Sequence, residues 1–253
     1  MTSMSSLNST VGLVEIFSSI QGEGLYVGCR QVFVRLAGCN ISCQYCDTQE
    51  SFVVPATAQI ETQAGNRVFQ KTMNPVLVCD LVSAVENLCR SPHHSVSLTG
   101  GEPLLHPAVV TAVSSLRKAG VKIYLETNGT LPEALAQVIN DVDIISMDFK
   151  LPSAMHGHIY WKEHAKFLRI AAQREVFVKM VISGESTLAE LEYAVHIIED
   201  IDDSIPLILQ PVTPAHGISA VDSNTVLRWQ ELALQKLHMV RVIPQTHKMM
   251  GML

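Results

Sequence analysis

QVFVRLAGCNISCQYCDT, residues 31–48, runs an apolar stretch directly into three cysteines. Residues 31–38 have the β-branched and aromatic content of a buried strand. Cys39, Cys43 and Cys46 follow, with three and then two residues between them. Three thiolates at that spacing can wrap one metal centre from a single loop. A zinc site would call for a fourth Cys or His at a matching spacing. The other cysteines do not supply it. Cys79 and Cys89 stand ten residues apart on a predicted helix and read as core thiols, and Cys29 sits in a loop after Gly28. A disulfide framework is equally out of place, because a chain of 253 residues that is 47% hydrophobic needs no staples. A four-iron cluster normally takes four cysteines. Three leave one iron open to bind and reduce a small molecule.

Outward from this loop the chain settles into a regular rhythm. Residues 77–90 fit a helix, with Leu77, Leu81, Ala84, Val85 and Leu88 near a 3.6 spacing. Strand 95–99 runs into Gly100 and Gly101. Helix 107–119 opens on Pro107 and closes at Gly120. Strand 121–126, helix 132–140, strands 143–148 and 175–183, and helix 187–199 follow. Strand 206–212, a helix over 222–237 capped by Asp222 or Ser223, and strand 239–243 complete the pattern. Alternation of this kind implies βαβ units and a parallel sheet. An open or partial barrel and a doubly wound sheet both satisfy it, and in either the function belongs at the carboxyl ends of the strands. The polar segment near 52–76 interrupts the rhythm and reads as an insertion, with alternation around Val68 and Phe69 that permits a hairpin. Residues 1–12 read as a flexible tail and 13–253 as a single domain.

Composition removes several classes of function. The net charge of −6 offers no broad basic face for nucleic acid. No window approaches the ~18 apolar residues that cross a bilayer. Residues 1–10 lack the charged start and apolar run of a signal peptide, so the expectation is a cytoplasmic protein with neither nucleic acid nor membrane as partner. His93, His94, His156, His158 and His164 show no fixed ligand spacing.

The Cys-X3-Cys-X2-Cys loop after a strand, with Tyr45 before its last cysteine, resembles the radical S-adenosylmethionine enzymes. The resemblance implies a partial (β/α) barrel, with a [4Fe-4S] cluster on Cys39, Cys43 and Cys46. Its unique iron holds S-adenosylmethionine, whose reductive cleavage yields a 5′-deoxyadenosyl radical. Thr99-Gly100-Gly101-Glu102-Pro103 is similar to the turn that holds the methionine amino group in that family. The tips Glu126-Thr127-Asn128-Gly129, Asp148-Phe149-Lys150 and Gln210-Pro211 place further polar groups on the same rim. On this resemblance Tyr45, Asp47, Gly100, Gly101, Glu102, Asp148, Phe149, Lys150 and Gln210 are the candidate cofactor contacts.

Three stretches narrow the resemblance to the 7-carboxy-7-deazaguanine synthase family. They are 15–24 (EIFSSIQGEG), 33–40 running on to Cys46-Asp47-Thr48, and 244–253 (PQTHKMMGML). The resemblance implies ring contraction of 6-carboxy-5,6,7,8-tetrahydropterin with loss of ammonia, magnesium at Thr48, a homodimer, and a flavodoxin- or ferredoxin-type reductant. Ile20, Gln21, Gly22, Glu23, Arg35, Thr99, His247 and Leu253, with its terminal carboxylate, become the substrate candidates. Arg35 also stands out by chemistry, since a cation inside an apolar strand needs a partner. A substrate carboxylate would satisfy it, and so would Glu15 or Glu23. Two alternatives share parts of the pattern: a glycyl-radical activase, and a non-enzymatic iron–sulfur or zinc module.

Overall fold

The computed structural model describes residues 7–214 and 217–252. In chain order, β1 is Thr10–Val11, β2 Leu13–Ile20 and β3 Arg30–Leu36, the strand that delivers the cysteines. The inserted segment forms β4 (Thr57–Glu61), β5 (Phe69–Met73) and β6 (Val76–Leu77). Then come α1 (Val78–Leu88), β7 (Ser95–Gly100), α2 (Pro107–Val113), β8 (Lys122–Thr127), α3 (Pro132–Val138) and β9 (Ile144–Asp148). The chain ends with α4 (Trp161–Ala171), β10 (Glu175–Ile182), α5 (Leu188–Ile201), β11 (Leu207–Pro211), α6 (Ser223–Leu234), β12 (Val240–Val242) and α7 (Thr246–Met250).

One ten-stranded sheet has the order β12-β11-β10-β9-β8-β7-β3-β2-β4-β5. From β3 through β7 to β12 every pairing is parallel, as the alternation requires. One face of the sheet packs on the helices in a continuous core that includes Val34, Leu98, Leu125, Met147, Val178 and Leu209 from the strands. Leu81, Val113, Leu135, Phe167, Leu191 and Trp229 meet them from the helices. Each such fully buried side chain contributes roughly 1.5–3 kcal/mol of transfer free energy. The other face curls around a cavity that residues of β2, β3 and β7 to β11 all line. The sheet is therefore a partial barrel. Its edge strands are β12 and β5.

Several sequence expectations change in detail. Val11 is 4% exposed and β1 pairs with β6, so the flexible tail expected over 1–12 does not extend to its last residues; residues 1–6 lie outside the described part. The insertion does hold a hairpin, β4 against β5, and β4 adds to the sheet beside β2. β2 was hidden by Glu15, Ser18 and Ser19, which break an apolar reading; it runs antiparallel to β3 with Glu15 opposite Arg35. α4 lies where no helix is expected from the sequence, because its buried face of His164, Phe167, Leu168 and Ala171 begins with a polar residue. The helix expected over 107–119 tightens after Val113 into 3-10 turns that end at Gly120, where φ is +81°. No helix among the described residues is long and apolar enough to cross a membrane.

The Asp222 carboxylate caps α6 by accepting from Thr225 N at 3.0 Å. Asp222→Ala should cost about 1 kcal/mol. In a domain of this size that lowers the melting temperature by roughly 2–4 °C, and a thermal melt checks it.

Candidate active site

Alternation along the strands gives the concave face two layers. Tyr124, Ile144, Phe177 and Ile208 form an apolar floor, against which Leu25, Tyr26 and Ile243 pack. Two residues further along β8 and β9 stand Glu126 and Ser146, and two further along β10 and β11 stand Lys179 and Gln210. Together with Thr99 and Asp148 these line a cavity of about 480 Å³ at the carboxyl ends of the strands. All three clustered thiols open into it, whereas Cys29, Cys79 and Cys89 do not.

The cysteine loop is fixed by backbone contacts. Gly38 N donates to Ser51 O at 2.6 Å, Gln44 N to Ala154 O at 3.1 Å, and Cys46 N to Cys43 O at 3.2 Å. Behind the loop, Gly101 N reaches Leu36 O at 3.1 Å and Glu102 N reaches Gly38 O at 2.8 Å. This approach requires glycine: a Cβ on Gly101 would run into the Gly38 carbonyl, and Gly100 has φ +124°. Burial pushes the thiols of Cys39 and Cys43 above the ordinary cysteine range. A cation bound there would reverse that, since metal ligation deprotonates a thiol.

Glu102, expected among the cofactor contacts, sits behind the cavity wall. It is fully buried. Its Oε1 accepts from Leu104 N (3.0 Å) and Thr127 Oγ1 (2.9 Å), and its Oε2 from Asn128 N (2.8 Å). Burial raises its carboxyl to about 7 against these donors. Glu102 thus braces the tips of β7 and β8. Phe149 is likewise buried behind the wall, stacked on His164 with centroids 4.7 Å apart.

A chain of alternating charges crosses the cavity. Tyr45 meets Lys150, whose Nζ lies 5.1 Å from the ring centroid and 3.4 Å from the hydroxyl. Lys150 Nζ pairs with Asp148 Oδ2 at 2.7 Å. Lys179 Nζ lies 3.6 Å from the same oxygen and pairs directly with Glu23 Oε2. Burial opposes the Glu23 charge, but Lys179 and the Gln245 amide bring its carboxyl down to about 2. Gln245 Nε2 donates to Glu23 Oε1 at 2.8 Å and to Asp47 Oδ2 at 2.9 Å, and Lys248 Nζ stands 3.2 Å from Asp47. Ligand atoms of Glu23, Asp47 and His247 lie within 4.8 Å of one another, a spacing that suits a metal ion. The flanking lysines already neutralise its two carboxylates, which argues against one there.

The other predicted residues also meet at this cavity. Arg35 Nε donates to Glu15 Oε1 at 2.8 Å, so Glu15 rather than Glu23 is its partner in the protein. That bond uses one nitrogen of the fork, and Arg35 lines the cavity. Gln21 Nε2 donates to Glu126 Oε1 at 2.8 Å, and Thr99 Oγ1 to Glu126 Oε2 at 2.8 Å. Gly22 lies against His247, whose ring leaves no room for a Cβ. Ile20, Tyr45, Asp47, Thr48, Gly100, Lys150 and Gln210 also line the cavity. Leu253 lies outside the described residues. Lys179 and Glu126 are the principal additions. Lys179 carries the same signal as Arg35, a cation inside an apolar strand; Glu126 stands on a strand tip that the resemblance places at the S-adenosylmethionine site without singling it out.

Residues 34–198 match the radical SAM superfamily. The chain is 44% identical to a 7-carboxy-7-deazaguanine synthase of Geobacter sulfurreducens, covering 95% of this chain and 97% of the relative. It is 32% identical to one from Methanothermobacter thermautotrophicus, again over 95% and 97%. The crystal structure of QueE from Escherichia coli has a similar fold, with a TM-score of 0.59 at 19% identity over 93% of this chain and 94% of that one. The match to these relatives covers nearly the whole chain, and the superfamily match takes in the cysteine loop. The chain therefore belongs to the 7-carboxy-7-deazaguanine synthase family of the radical SAM superfamily.

Proposed function

We propose that this chain converts 6-carboxy-5,6,7,8-tetrahydropterin into 7-carboxy-7-deazaguanine with release of ammonia. The observation that carries the reading is a single cavity that joins three clustered thiols to Arg35, Glu23 and His247. The superfamily implies a [4Fe-4S] cluster and S-adenosylmethionine. The donor set fits the cluster, since the thiols of one loop share one cavity and no other cysteine reaches it. When bound, this pair supplies the one-electron cleavage that starts hydrogen abstraction from the substrate.

The chain's own residues bind and orient. Gly100 and Gly101 bring bare backbone to the cavity wall, and Asp148, Lys150 and Gln210 surround the cofactor side. Asp148 Oδ1 and Gln210 Oε1 are buried acceptors without a protein partner, suited to donors on a bound ligand. On the substrate side, Arg35 faces the pterin carboxylate, while Gln21 and Glu23 meet its amide and amino edge. The Glu15 pair does not compete with this, because a guanidinium carries five donors. Thr48 offers a neutral oxygen to magnesium, which keeps most of its waters. His247 and the terminal carboxylate of Leu253 complete the substrate set. We further read the chain from β1 onward as one domain acting as a cytoplasmic homodimer, reduced by a flavodoxin- or ferredoxin-type donor.

An anaerobic assay with and without the carboxypterin tests the reading: 5′-deoxyadenosine should form, and the deazaguanine product should appear only with the pterin. Cys39→Ala, Cys43→Ala and Cys46→Ala should each abolish the brown chromophore and cleavage together. Retained cleavage in any one removes that ligand from the cluster. Thr48→Ala should raise the magnesium requirement with the chromophore intact; an unchanged metal response makes Thr48 a turn residue.

Arg35→Ala should weaken pterin binding by about 10- to 150-fold, the range for a charged hydrogen bond. Arg35→Lys keeps the charge without the fork and should still be impaired. The pair with Glu15 is mostly buried, with side chains 17% and 20% exposed, so Arg35→Ala also leaves a largely buried carboxylate unpaired and should lower stability, by up to roughly 3 kcal/mol. A melt beside a binding titration separates the roles: lower stability with unchanged pterin affinity would make Arg35 a structural partner of Glu15.

A further inference from the structure

We propose that Lys179 is a positioning residue that holds the Glu23 carboxylate as a fixed acceptor for the donor edge of the substrate. The proposal rests on the functional reading above and adds to it a residue with no assigned role. Lys179 lies in β10, Glu175–Ile182, an otherwise apolar strand, and its side chain is 13% exposed. A lysine so buried is retained only where anions repay its desolvation. Two anions lie within 4 Å of its Nζ, with Glu126 further off, and the distances rank them. Glu23 Oε2 is in direct contact, whereas Asp148 Oδ2 is 3.6 Å away and has its own cation in Lys150 at 2.7 Å.

This asymmetry gives Lys179 a directional role. Without it, Asp148 still has Lys150. Glu23 would keep only the Gln245 amide, which it shares with Asp47. A neutral amide between two carboxylates satisfies lone pairs but cancels no charge. Asp47 has Lys248 at 3.2 Å; His247 is the other titratable group beside Glu23. Glu23 would then either take up a proton or swing away from its place, and in both cases cease to accept from the substrate's N–H groups. Lys179 therefore acts through Glu23 on the substrate side of the cavity. The cofactor side, anchored by Asp148 and Lys150, depends on it less.

The test is steady-state kinetics and thermal melts of the reconstituted enzyme carrying K179M, K179R, E23Q and K179M/E23Q. K179M should raise the KM for the carboxypterin by about 10- to 100-fold, while the KM for S-adenosylmethionine moves by less than about threefold. K179R keeps the charge and should recover most of the loss. K179M should also lower the melting temperature, and the double variant should regain part of it, because the unpaired carboxylate is gone. An unchanged pterin KM in K179M, or equal rises for both ligands, overturns the proposal. If K179M is too unstable to assay, the double variant decides: a refolded protein supports the pairing, and no recovery refutes it. Wild-type protein that turns over no pterin would fail the functional reading instead, and the melts would still report on the ion pair.

Discussion

Glu23, Lys179, Asp148 and Lys150 sit in the curl of the sheet, and what makes their burial tolerable is that their signs alternate. Each alone would carry a desolvation penalty of several kcal/mol. Arranged in order, each cation lies near an anion, and the Gln245 amide and Tyr45 hydroxyl extend the set at its two ends. The consequence reaches beyond the site. A closed apolar barrel would fill this space with branched side chains. Here the filling stops at the floor of Tyr124, Ile144, Phe177 and Ile208, and the polar layer above it leaves room for ligands. Opening the barrel and ordering the charges are two sides of one solution.

Backbone proximity imposes the second constraint. β3 and β7 pair in register up to Leu36 opposite Gly100, and both strands then release their chains into functional turns. The turns cross so closely that Glu102 N bonds to the Gly38 carbonyl next to Cys39. Glu102 carries this brace onward to Thr127 and Asn128 at the tip of β8. A buried carboxylate serving three donors is costly to place but rigid once placed. The loop that presents the thiols and the tips that face them thus form one hydrogen-bonded unit, although they lie far apart in sequence.

Much of this was legible in the chain. The parallel strands from β7 to β12 are short apolar runs between helices, so periodicity located them within a residue or two. The cysteine loop was legible because three thiols in eight residues admit few explanations. Elements that mix faces were not. β2 is interrupted by Glu15, Ser18 and Ser19, so no apolar run marks it as a strand. α4 turns a histidine into the core, where burial lowers its pKa to about 4, and a histidine at a core position hides a helix. Glu102 and Phe149 show the complementary limit. Their motifs are at the site, but the sequence does not say which side chains of a turn or a strand end face the cavity. Lys179 was readable by the logic applied to Arg35; its partner Glu23, more than a hundred residues away, was not.

The gap left by the unclosed sheet is bridged by loops rather than by strands. After β12 the chain reaches the end of β2, where Thr246 N and Oγ1 both bond to the Gly22 carbonyl, at 2.9 and 3.1 Å. Gln245 and Lys248 add side-chain bonds to Glu23 and Asp47. A strand pairing would have sealed this side with continuous backbone and used every amide in the ladder. Side chains close it instead and leave their charged ends at the cavity. This explains why Gly22 has no side chain, since a Cβ would take the place of the His247 ring. It also explains why residues from the two ends of the chain belong to one wall. The glycine of the first segment exists to admit the histidine of the last.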